Sequence, residues 1–172
     1  MQIGIIGLGK MGFNLALNLK RNGYEVVAQD VNTDFVEKMN NEGINTAYSV
    51  SELCQKLTAR KVIWLMVPAG EIVDAVITSL LPFLDKNDII IDGGNSNYKD
   101  SKRRYTQLKE KGIDFLDCGT SGGTSGALNG ACTMIGGDAE VFEYVAQVFK
   151  DISVENGHLY TGAAGSGHFT KM

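Results

Sequence analysis

A glycine-rich segment near residue 10 has the residue types and spacing to bind a dinucleotide. It reads Gly7-Leu8-Gly9-Lys10-Met11-Gly12, directly after an apolar run and directly before a helix-like pattern. In this spacing the first glycine allows a tight turn, the second lets a pyrophosphate approach, and the third lets the helix pack closely. The free N–H groups and the dipole at the helix N-terminus favour phosphate. The segment predicts a dinucleotide site; the alternative is a glycine-rich turn that binds no ligand.

Asp30, at the end of the second apolar run, bears on which dinucleotide is bound. A carboxylate there accepts hydrogen bonds from both ribose hydroxyls of NAD and repels the 2′-phosphate of NADP. The residues that follow are Val31, Asn32 and Thr33, and none is the arginine that would bind that phosphate. The sequence therefore favours NAD over NADP, with Val31 and Asn32 as further cofactor contacts. In the alternative interpretation, Asp30 only caps the next turn.

The next apolar run ends in Met66-Val67-Pro68-Ala69-Gly70. In a parallel sheet this strand end lies beside the dinucleotide, so the backbone of Val67, Pro68 and Ala69 is a candidate lining for the cofactor. A plain strand-to-helix turn explains the same residues equally well.

Asp92-Gly93-Gly94-Asn95-Ser96 closes the following run. The two glycines allow unusual backbone angles, which would present Asn95 at the strand end. A carboxamide there can hydrogen-bond both a substrate hydroxyl and the nicotinamide region. In the alternative, the segment is a turn with a helix cap, and Ser96 or Asn97 is enough for that role.

A polar glycine-rich segment, Asp117 to Ala127, follows another predicted strand and is expected to be a loop. It includes Ser121-Gly122-Gly123, and exposed N–H groups in such a loop can bind a carboxylate or another oxyanion. A flexible loop would explain the glycines but not their place at the same sheet edge. Cys118, at the start of the segment, is expected to be a buried packing residue and not a nucleophile.

Lys171 lies three residues after His168 in the last segment of the chain. A desolvated lysine beside a substrate can act as a general base, although the local sequence alone fits a surface lysine better. The histidines His158 and His168 lack cysteine or carboxylate partners at metal-ligand spacing, so no metal site is predicted. The cationic run at 102–104 is expected to be a solvated helix face.

Apolar runs and helix-like stretches alternate along the chain. The runs are rich in valine and isoleucine and lack in/out alternation, which is typical of strands buried on both faces. They span 3–6, 26–28, 62–67, 89–91 and 113–116, and helices are predicted over 10–22, 33–42, 49–57, 70–84 and 97–111. This order predicts an α/β fold with a doubly wound, mainly parallel Rossmann sheet.

Extra strands are predicted after these elements, near 132–135 and 158–160, with a helix over 138–150 between them. No linker or long repeat interrupts the pattern, so residues 1–162 are expected to form one domain. Residues 163–172 begin like a helix, and no C-cap or terminating glycine is visible, as if the chain stopped inside an element.

Composition excludes several classes of protein. The chain has 172 residues and a net charge of −4, whereas a nucleic-acid-binding surface is normally basic. No apolar run approaches the length of a membrane span. Three widely spaced cysteines fit reduced thiols, and so a cytoplasmic protein. Glycine is in excess, with 21 residues.

Four of these segments, in order along the whole chain, resemble 6-phosphogluconate dehydrogenase, the decarboxylating enzyme. They are GLGKMG, DGGNSNYKDSKRR, DCGTSGGTSGA and the final GSGHFTKM. GGNS and SGG are the specific parts. MVPAG together with Asp30 is similar to the shorter, NAD-preferring branch of the family.

The resemblance implies a role for each segment. Residues 7–12, Asp30 and 67–69 would contact the dinucleotide, and Asn95 would touch both cofactor and substrate. Ser121, Gly122 and Gly123 would bind the carboxylate end of the sugar acid. Lys171 matches the family's catalytic lysine, which takes the proton from the C3 hydroxyl of 6-phosphogluconate while hydride goes to the nicotinamide. Loss of CO₂ then gives ribulose 5-phosphate, in the pentose phosphate pathway.

The family pattern continues past the last residue of this chain with a substrate-binding His-Asn pair, a glutamate general acid and a phosphate-binding tyrosine. A large helical domain with the dimer interface follows in the family, so the complete parent is expected to be a homo-oligomer. By this comparison the chain alone would bind NAD but turn over poorly.

Two other functions stay open. Another β-hydroxyacid dehydrogenase, such as one acting on 3-hydroxyisobutyrate, is disfavoured because those relatives usually carry a Ser/Thr motif in place of Gly93-Gly94-Asn95-Ser96. A non-catalytic nucleotide-sensing module would need the first glycine motif and Asp30. It would give no reason for Asn95, Ser121 and Lys171 to accompany them.

Overall fold

One eight-stranded β-sheet organises the chain, and the computed structural model describes all residues from 1 to 172. In chain order the strands are β1 (Gln2–Ile6), β2 (Glu25–Gln29), β3 (Asn45–Ala47), β4 (Val62–Leu65), β5 (Ile89–Asp92), β6 (Asp114–Ser121), β7 (Ala131–Gly136) and β8 (Ser153–Gly162). Their order across the sheet is β3-β2-β1-β4-β5-β6-β7-β8. Strands β1 to β6 are parallel, β7 is antiparallel to β6, and β8 is parallel to β7.

The winding direction changes between β1 and β4. From β1 the chain builds outward to β2 and β3, then returns to place β4 on the other side of β1. The last residues of these two strands, Ile6 and Leu65, are partners in register. In open α/β sheets, ligands bind in the crevice that forms at the carboxyl ends of the strands at this point.

Burial on both faces explains the continuous apolar strands. In β5, Ile89 and Ile91 belong to one core cluster and Ile90 to the other. The same division holds for β4, where Trp64 faces one cluster and Ile63 the other. Because both faces are covered by helices, neither face of these strands is polar.

The helices are α1 (Lys10–Arg21), α2 (Thr33–Asn41), α3 (Val50–Lys56), α4 (Glu71–Leu80), α5 (Tyr98–Glu110), α6 (Gly123–Asn129), α7 (Ala139–Ile152) and α8 (Ser166–Lys171). A 3₁₀ turn at Leu81–Phe83 follows α4. Side chains of Asn32, Ser49 and Asn97 cap α2, α3 and α5 by accepting backbone N–H bonds. None of these helices is both long and apolar enough to cross a membrane.

The predicted fold, a doubly wound and mainly parallel α/β sheet with extra strands at its end, is confirmed. Three segments differ from prediction. Strand β3 was not predicted, because its residues Asn45, Thr46 and Ala47 form no apolar run. Strand β8 is 10 residues long, whereas only 158–160 was predicted. Its first half is polar and carries no periodic signal, so the sequence pattern did not reveal it.

The third difference concerns the glycine-rich segment that was expected to be a loop. Strand β6 continues through it to Ser121, which pairs antiparallel with Cys132 of β7. Gly122 has φ +118° and Gly123 φ +62°, and α6 begins there. Only these two residues therefore make the turn. The residues before them belong to β6, which pairs with β7, and the residues after them belong to α6.

Candidate functional site

The glycine motif forms the turn between β1 and α1, and each glycine has a separate reason to be there. Gly7 has φ +101°, a conformation that side chains disfavour. A Cβ on Gly12 would lie 1.8 Å from the carbonyl oxygen of Gly7, so no side chain fits. A Cβ on Gly9 would meet nothing within 4 Å. The first and third glycines are thus explained by the fold, whereas the open space at Gly9 fits the close approach of a pyrophosphate.

Asp30 connects the end of β2 to this glycine motif. Its Oδ2 accepts a hydrogen bond from the Leu8 N–H at 2.6 Å, and its Oδ1 accepts one from the Asn32 N–H at 2.8 Å. The carboxylate therefore caps its own turn and also lies beside the phosphate-binding segment. Val31 is 95% exposed, and the Asn32 side chain accepts from the Asp34 N–H, so Asn32 also serves as the cap of α2.

The turns after β4 and β5 lie against each other. A Cβ on Gly94 would be 2.8 Å from the carbonyl oxygen of Val67, and a Cβ on Gly93 would be 2.2 Å from Trp64 Nε1. The paired glycines thus allow the segment that carries Asn95 to lie on the segment Val67-Pro68-Ala69. Two of the predicted cofactor-lining segments are therefore adjacent.

Arg104 holds these two turns together, which the sequence analysis missed. The run Lys102-Arg103-Arg104 was expected to be a solvated face, and for Arg104 this is wrong because it is 1% exposed. Its guanidinium donates to Ser96 Oγ at 3.2 Å and to the Gly70 carbonyl at 3.1 Å. It also pairs with Asp74 and lies 3.5 Å from the buried Asp92. A local pattern of charges cannot distinguish such a tertiary ion pair from a surface arginine.

Lys171 and Asn95 meet at the sheet edge. Lys171 Nζ donates to Asn95 Oδ1 at 2.9 Å, and both side chains are exposed. Lys171 is the last residue of α8, which packs on β6 and β7. The local sequence gave no reason for this contact, since Lys171 lies in a separate helix at the end of the chain. The structure places an amine and a carboxamide together, facing solvent, where a ligand can reach both.

The segment Ser121-Gly122-Gly123 is exposed at the same edge. Helix α6, which begins at Gly123, is bonded to α1: Asn14 Nδ2 donates to the Thr124 carbonyl at 2.9 Å and Asn18 Nδ2 to the Ala127 carbonyl at 3.1 Å. Because α1 also begins at the glycine motif, it connects the candidate phosphate site to the helix that follows the candidate carboxylate site.

The thiol of Cys118 is fully buried, as expected for a packing residue. Burial raises the pKa of the Cys118 thiol from its ordinary value to about 12. A nucleophile requires the thiolate, so Cys118 does not supply one near neutral pH. No group of three or more potential ligand side chains is placed to hold a metal ion.

The switch point, the free helix N-terminus at Gly9 and the acidic residue at the end of β2 define the class: an α/β dinucleotide-binding domain. A comparison with protein families agrees. The chain belongs to the family of the NAD-binding domain of 6-phosphogluconate dehydrogenase, whose model matches residues 2–162.

Several relatives are similar over the whole chain. YqeC of Bacillus subtilis (strain 168), named provisionally as a 6-phosphogluconate dehydrogenase, is 50% identical over 100% of this chain and 58% of its own length. An NAD(+)-dependent, decarboxylating 6-phosphogluconate dehydrogenase of the same strain is 44% identical over 99% of this chain and 38% of its own length.

A solved structure gives a close superposition. The 6-phosphogluconate dehydrogenase of Plasmodium falciparum, described in its apo form and in complexes with its cofactor NADP⁺ and its substrate 6-phosphogluconate, matches with a TM-score of 0.94. The identity is 32%, over 99% of this chain and 39% of that one. The chain thus spans between 38% and 58% of the length of these relatives.

Proposed function

We propose that this chain is the cofactor-binding part of an enzyme that oxidises and decarboxylates 6-phosphogluconate to ribulose 5-phosphate with reduction of NAD. The observation that carries the proposal is the Lys171–Asn95 contact at 2.9 Å. It joins a potential base to a carboxamide at the strand end next to the dinucleotide crevice. A module that only binds nucleotides would not need this pair.

The residues divide the work as follows. The N–H groups at Gly7–Gly12 and the N-terminus of α1 hold the pyrophosphate, and Asp30 accepts hydrogen bonds from the adenosine ribose. Val67, Pro68 and Ala69 line the cofactor on the β4 side. When bound, NAD supplies the acceptor for the hydride that leaves C3 of the substrate.

Lys171 Nζ, in its amine form, takes the proton from the C3 hydroxyl of the sugar acid. Asn95 Oδ1 orients that amine, and the Asn95 amide N–H groups are left to contact substrate or nicotinamide. N–H groups of Ser121, Gly122 and Gly123 hold the substrate carboxylate. Oxidation at C3 places a ketone β to this carboxylate, which is the arrangement from which CO₂ is lost.

NAD is the proposed cofactor because of Asp30 and its neighbours, and not because of overall similarity. The relatives described above include both an NAD-dependent enzyme and one that binds NADP⁺. Asp30 would repel a 2′-phosphate, and Val31, Asn32 and Thr33 offer no arginine to hold one. Calorimetric titration of the chain tests this choice, and tighter binding of NADP than of NAD would overturn it.

We further propose that residues 1–162 form the dinucleotide-binding domain and that 163–172 lead into a separate helical domain, through which the whole protein forms a homo-oligomer. The greater length of the relatives supports this organisation. The three cysteines are free, which fits a cytoplasmic enzyme of the pentose phosphate pathway.

The test is an assay of the whole protein with 6-phosphogluconate and NAD, following both NADH and CO₂. The proposal expects NADH and CO₂ in equal amounts. Oxidation of 3-hydroxyisobutyrate without reaction of 6-phosphogluconate would replace the proposed substrate with that of a related dehydrogenase. NAD binding with no oxidation of either acid would indicate a sensing module.

A further inference from the structure

Helix α8, which carries Lys171, lacks a cap of its own. It is only six residues long, and no side chain near its start caps its first turn. Gly165, the residue before the helix, has φ +91°, and Ser166 Oγ forms its hydrogen bond with Thr161 Oγ1 instead. Because a helix this short is not stable by itself, its position must be fixed by the residues around it.

Asp117 supplies the missing cap from a different element. It lies on β6 and is 0% exposed. Its Oδ1 accepts a hydrogen bond from the Gly165 N–H at 2.7 Å, and its Oδ2 accepts one from the His168 N–H at 2.9 Å. A carboxylate at this end of a helix satisfies free N–H groups and matches the helix dipole.

Glycines let α8 lie directly on the sheet. A Cβ on Gly167 would lie 2.4 Å from the Met134 carbonyl oxygen and 2.7 Å from the Asp117 carbonyl oxygen. A Cβ on Gly119 would lie 2.5 Å from Lys171 Cβ. These glycines therefore let the backbone of α8 lie directly against β6 and β7. At this short separation, the two hydrogen bonds to Asp117 fix the position of the helix.

The neighbouring strand, β5, holds Asn95 in a similar way. Asp92 on β5 is the register partner of Asp117 and is also 0% exposed. Its Oδ1 accepts from the Gly94 N–H at 3.1 Å, and its Oδ2 accepts from Ser96 Oγ at 2.5 Å. The two bonds enclose Asn95. Adjacent strand ends thus each hold one half of the Lys171–Asn95 pair.

We propose that Asp117 is a positioning residue: from β6 it fixes α8 and so places Lys171 Nζ on Asn95 and on the substrate hydroxyl. The proposal rests on the proposed function, in which Lys171 is the base. Asp117 is 0% exposed, so a ligand bound at the sheet edge has no access to its carboxylate. Its loss should therefore change the reaction step and leave binding of the dinucleotide intact.

The test is Asp117→Asn in the whole protein, which keeps the shape but replaces one accepting oxygen with an N–H₂ group. A displacement of about 1 Å at a reacting group costs on the order of 10²-fold in rate, so kcat is expected to fall to that extent. NADH affinity, measured by energy transfer from Trp64, should change by less than about twofold, because the cofactor contacts are separate. Trp64 is the single tryptophan of residues 1–172 and lies under Gly93.

Two further variants separate positioning from general loss of stability. Ser49→Ala removes the cap of α3, which accepts from the Glu52 N–H at 3.0 Å, and should lower the unfolding temperature without changing kcat. Gly167→Ala pushes α8 off the sheet from the other side and should reproduce the kcat loss with NADH affinity kept. If Asp117→Asn does not fold, Gly167→Ala still tests whether the position of α8 controls kcat.

The outcomes separate the two proposals. If Lys171→Met abolishes turnover while Asp117→Asn and Gly167→Ala keep kcat, then Asp117 does not position the base and the proposed function stands. If Lys171→Met keeps turnover, the proposed function fails in its choice of base. If Asp117→Asn loses NADH affinity as much as kcat, its role is general stability, and the positioning proposal is wrong.

Discussion

Lys171 Nζ donates a hydrogen bond to Asn95 Oδ1 at 2.9 Å, across 76 positions of sequence. Asn95 follows β5, in the parallel part of the sheet, and Lys171 ends a helix docked on β6 and β7. The contact therefore depends on the whole fold between them. Under the proposed function the two residues act as a unit, and its members should respond differently to substitution.

The first prediction separates the members of this pair. Lys171→Met should abolish turnover in the whole protein and leave NADH affinity unchanged, because in the proposed mechanism the amine acts on the substrate only. Asn95→Leu should lower kcat by about 10²-fold, through loss of orientation, and also weaken NADH binding. Steady-state kinetics and energy transfer from Trp64 measure the two effects.

Asn129→Leu is the matched control, since the Asn129 side chain is exposed and its one hydrogen bond is to Ser125 Oγ, at 3.4 Å. It should change neither measurement. Equal loss of NADH affinity in Lys171→Met and Asn95→Leu would show that the two side chains do not have separate roles.

The second prediction compares two glycines of one motif. Gly12→Ala should destabilise the fold at the upper end of the roughly 1–3 kcal/mol typical of overpacking, because its Cβ would strike the Gly7 carbonyl. Gly9→Ala should cost about 1 kcal/mol or less, since it has open space and only alters a helix cap. Urea unfolding measures both free energies.

NAD binding should show a different pattern. Gly9→Ala should bind NAD far more weakly although it is folded, because the methyl group occupies the space for the pyrophosphate. A Gly9→Ala chain with normal NAD affinity would mean that the dinucleotide does not approach this turn.

The third prediction concerns cofactor choice. The double substitution Asp30→Ser with Val31→Arg removes the repelling carboxylate and adds a guanidinium for the 2′-phosphate. It should reverse the preference from NAD to NADP in calorimetric titrations. Val31→Arg alone is the control and should retain the NAD preference, since Asp30 stays in place. If the double variant still prefers NAD, Asp30 does not select the cofactor.

The fourth prediction concerns acid stability. A hydrogen bond from Arg104, aided by Arg103, lowers the pKa of Asp74 from 3.8 to about 2. A lowered pKa in the folded state means that Asp74 stabilises the fold above pH 3.8, and this contribution is lost as the pH falls toward 2. Asp74 is 36% exposed, so solvent screening limits the size of the effect.

Thermal unfolding of Asp74→Asn across pH tests this. The variant should unfold at a lower temperature than the unsubstituted chain at pH 6, and the two curves should converge in acid. Asp100→Asn, an exposed partner 3.4 Å from Arg103, should show little difference at any pH. A gap for Asp74→Asn that stays constant down to low pH would contradict the assigned ion pair.

Where the segments of the candidate site lie could largely be predicted, because each of them follows the end of a strand. The glycine motif, Asp30, the turns after β4 and β5, and Ser121 all lie where a parallel sheet brings its carboxyl ends together. Local pattern and chain order are sufficient for such residues. The same reasoning placed the strands that are buried on both faces.

Contacts across the sheet could not be predicted in this way. Arg104 lies in a charged helix and looks like its solvated neighbours, yet it is buried against Asp92. Asp117 caps a helix from another element, and Asn14 and Asn18 bond α6 from α1. These roles depend on tertiary distances and leave no periodic signal in the sequence.

The most direct test of the central claim is a titration of the chain by amide NMR with NAD, followed by 6-phosphogluconate. NAD should shift the signals of Gly7–Gly12 and the Asn95 side chain, and the sugar acid should then shift those of Ser121, Gly122 and Gly123. Shifts confined to the glycine motif, with Asn95 and Ser121 unmoved by either ligand, would contradict a dehydrogenase site built around Lys171 and Asn95.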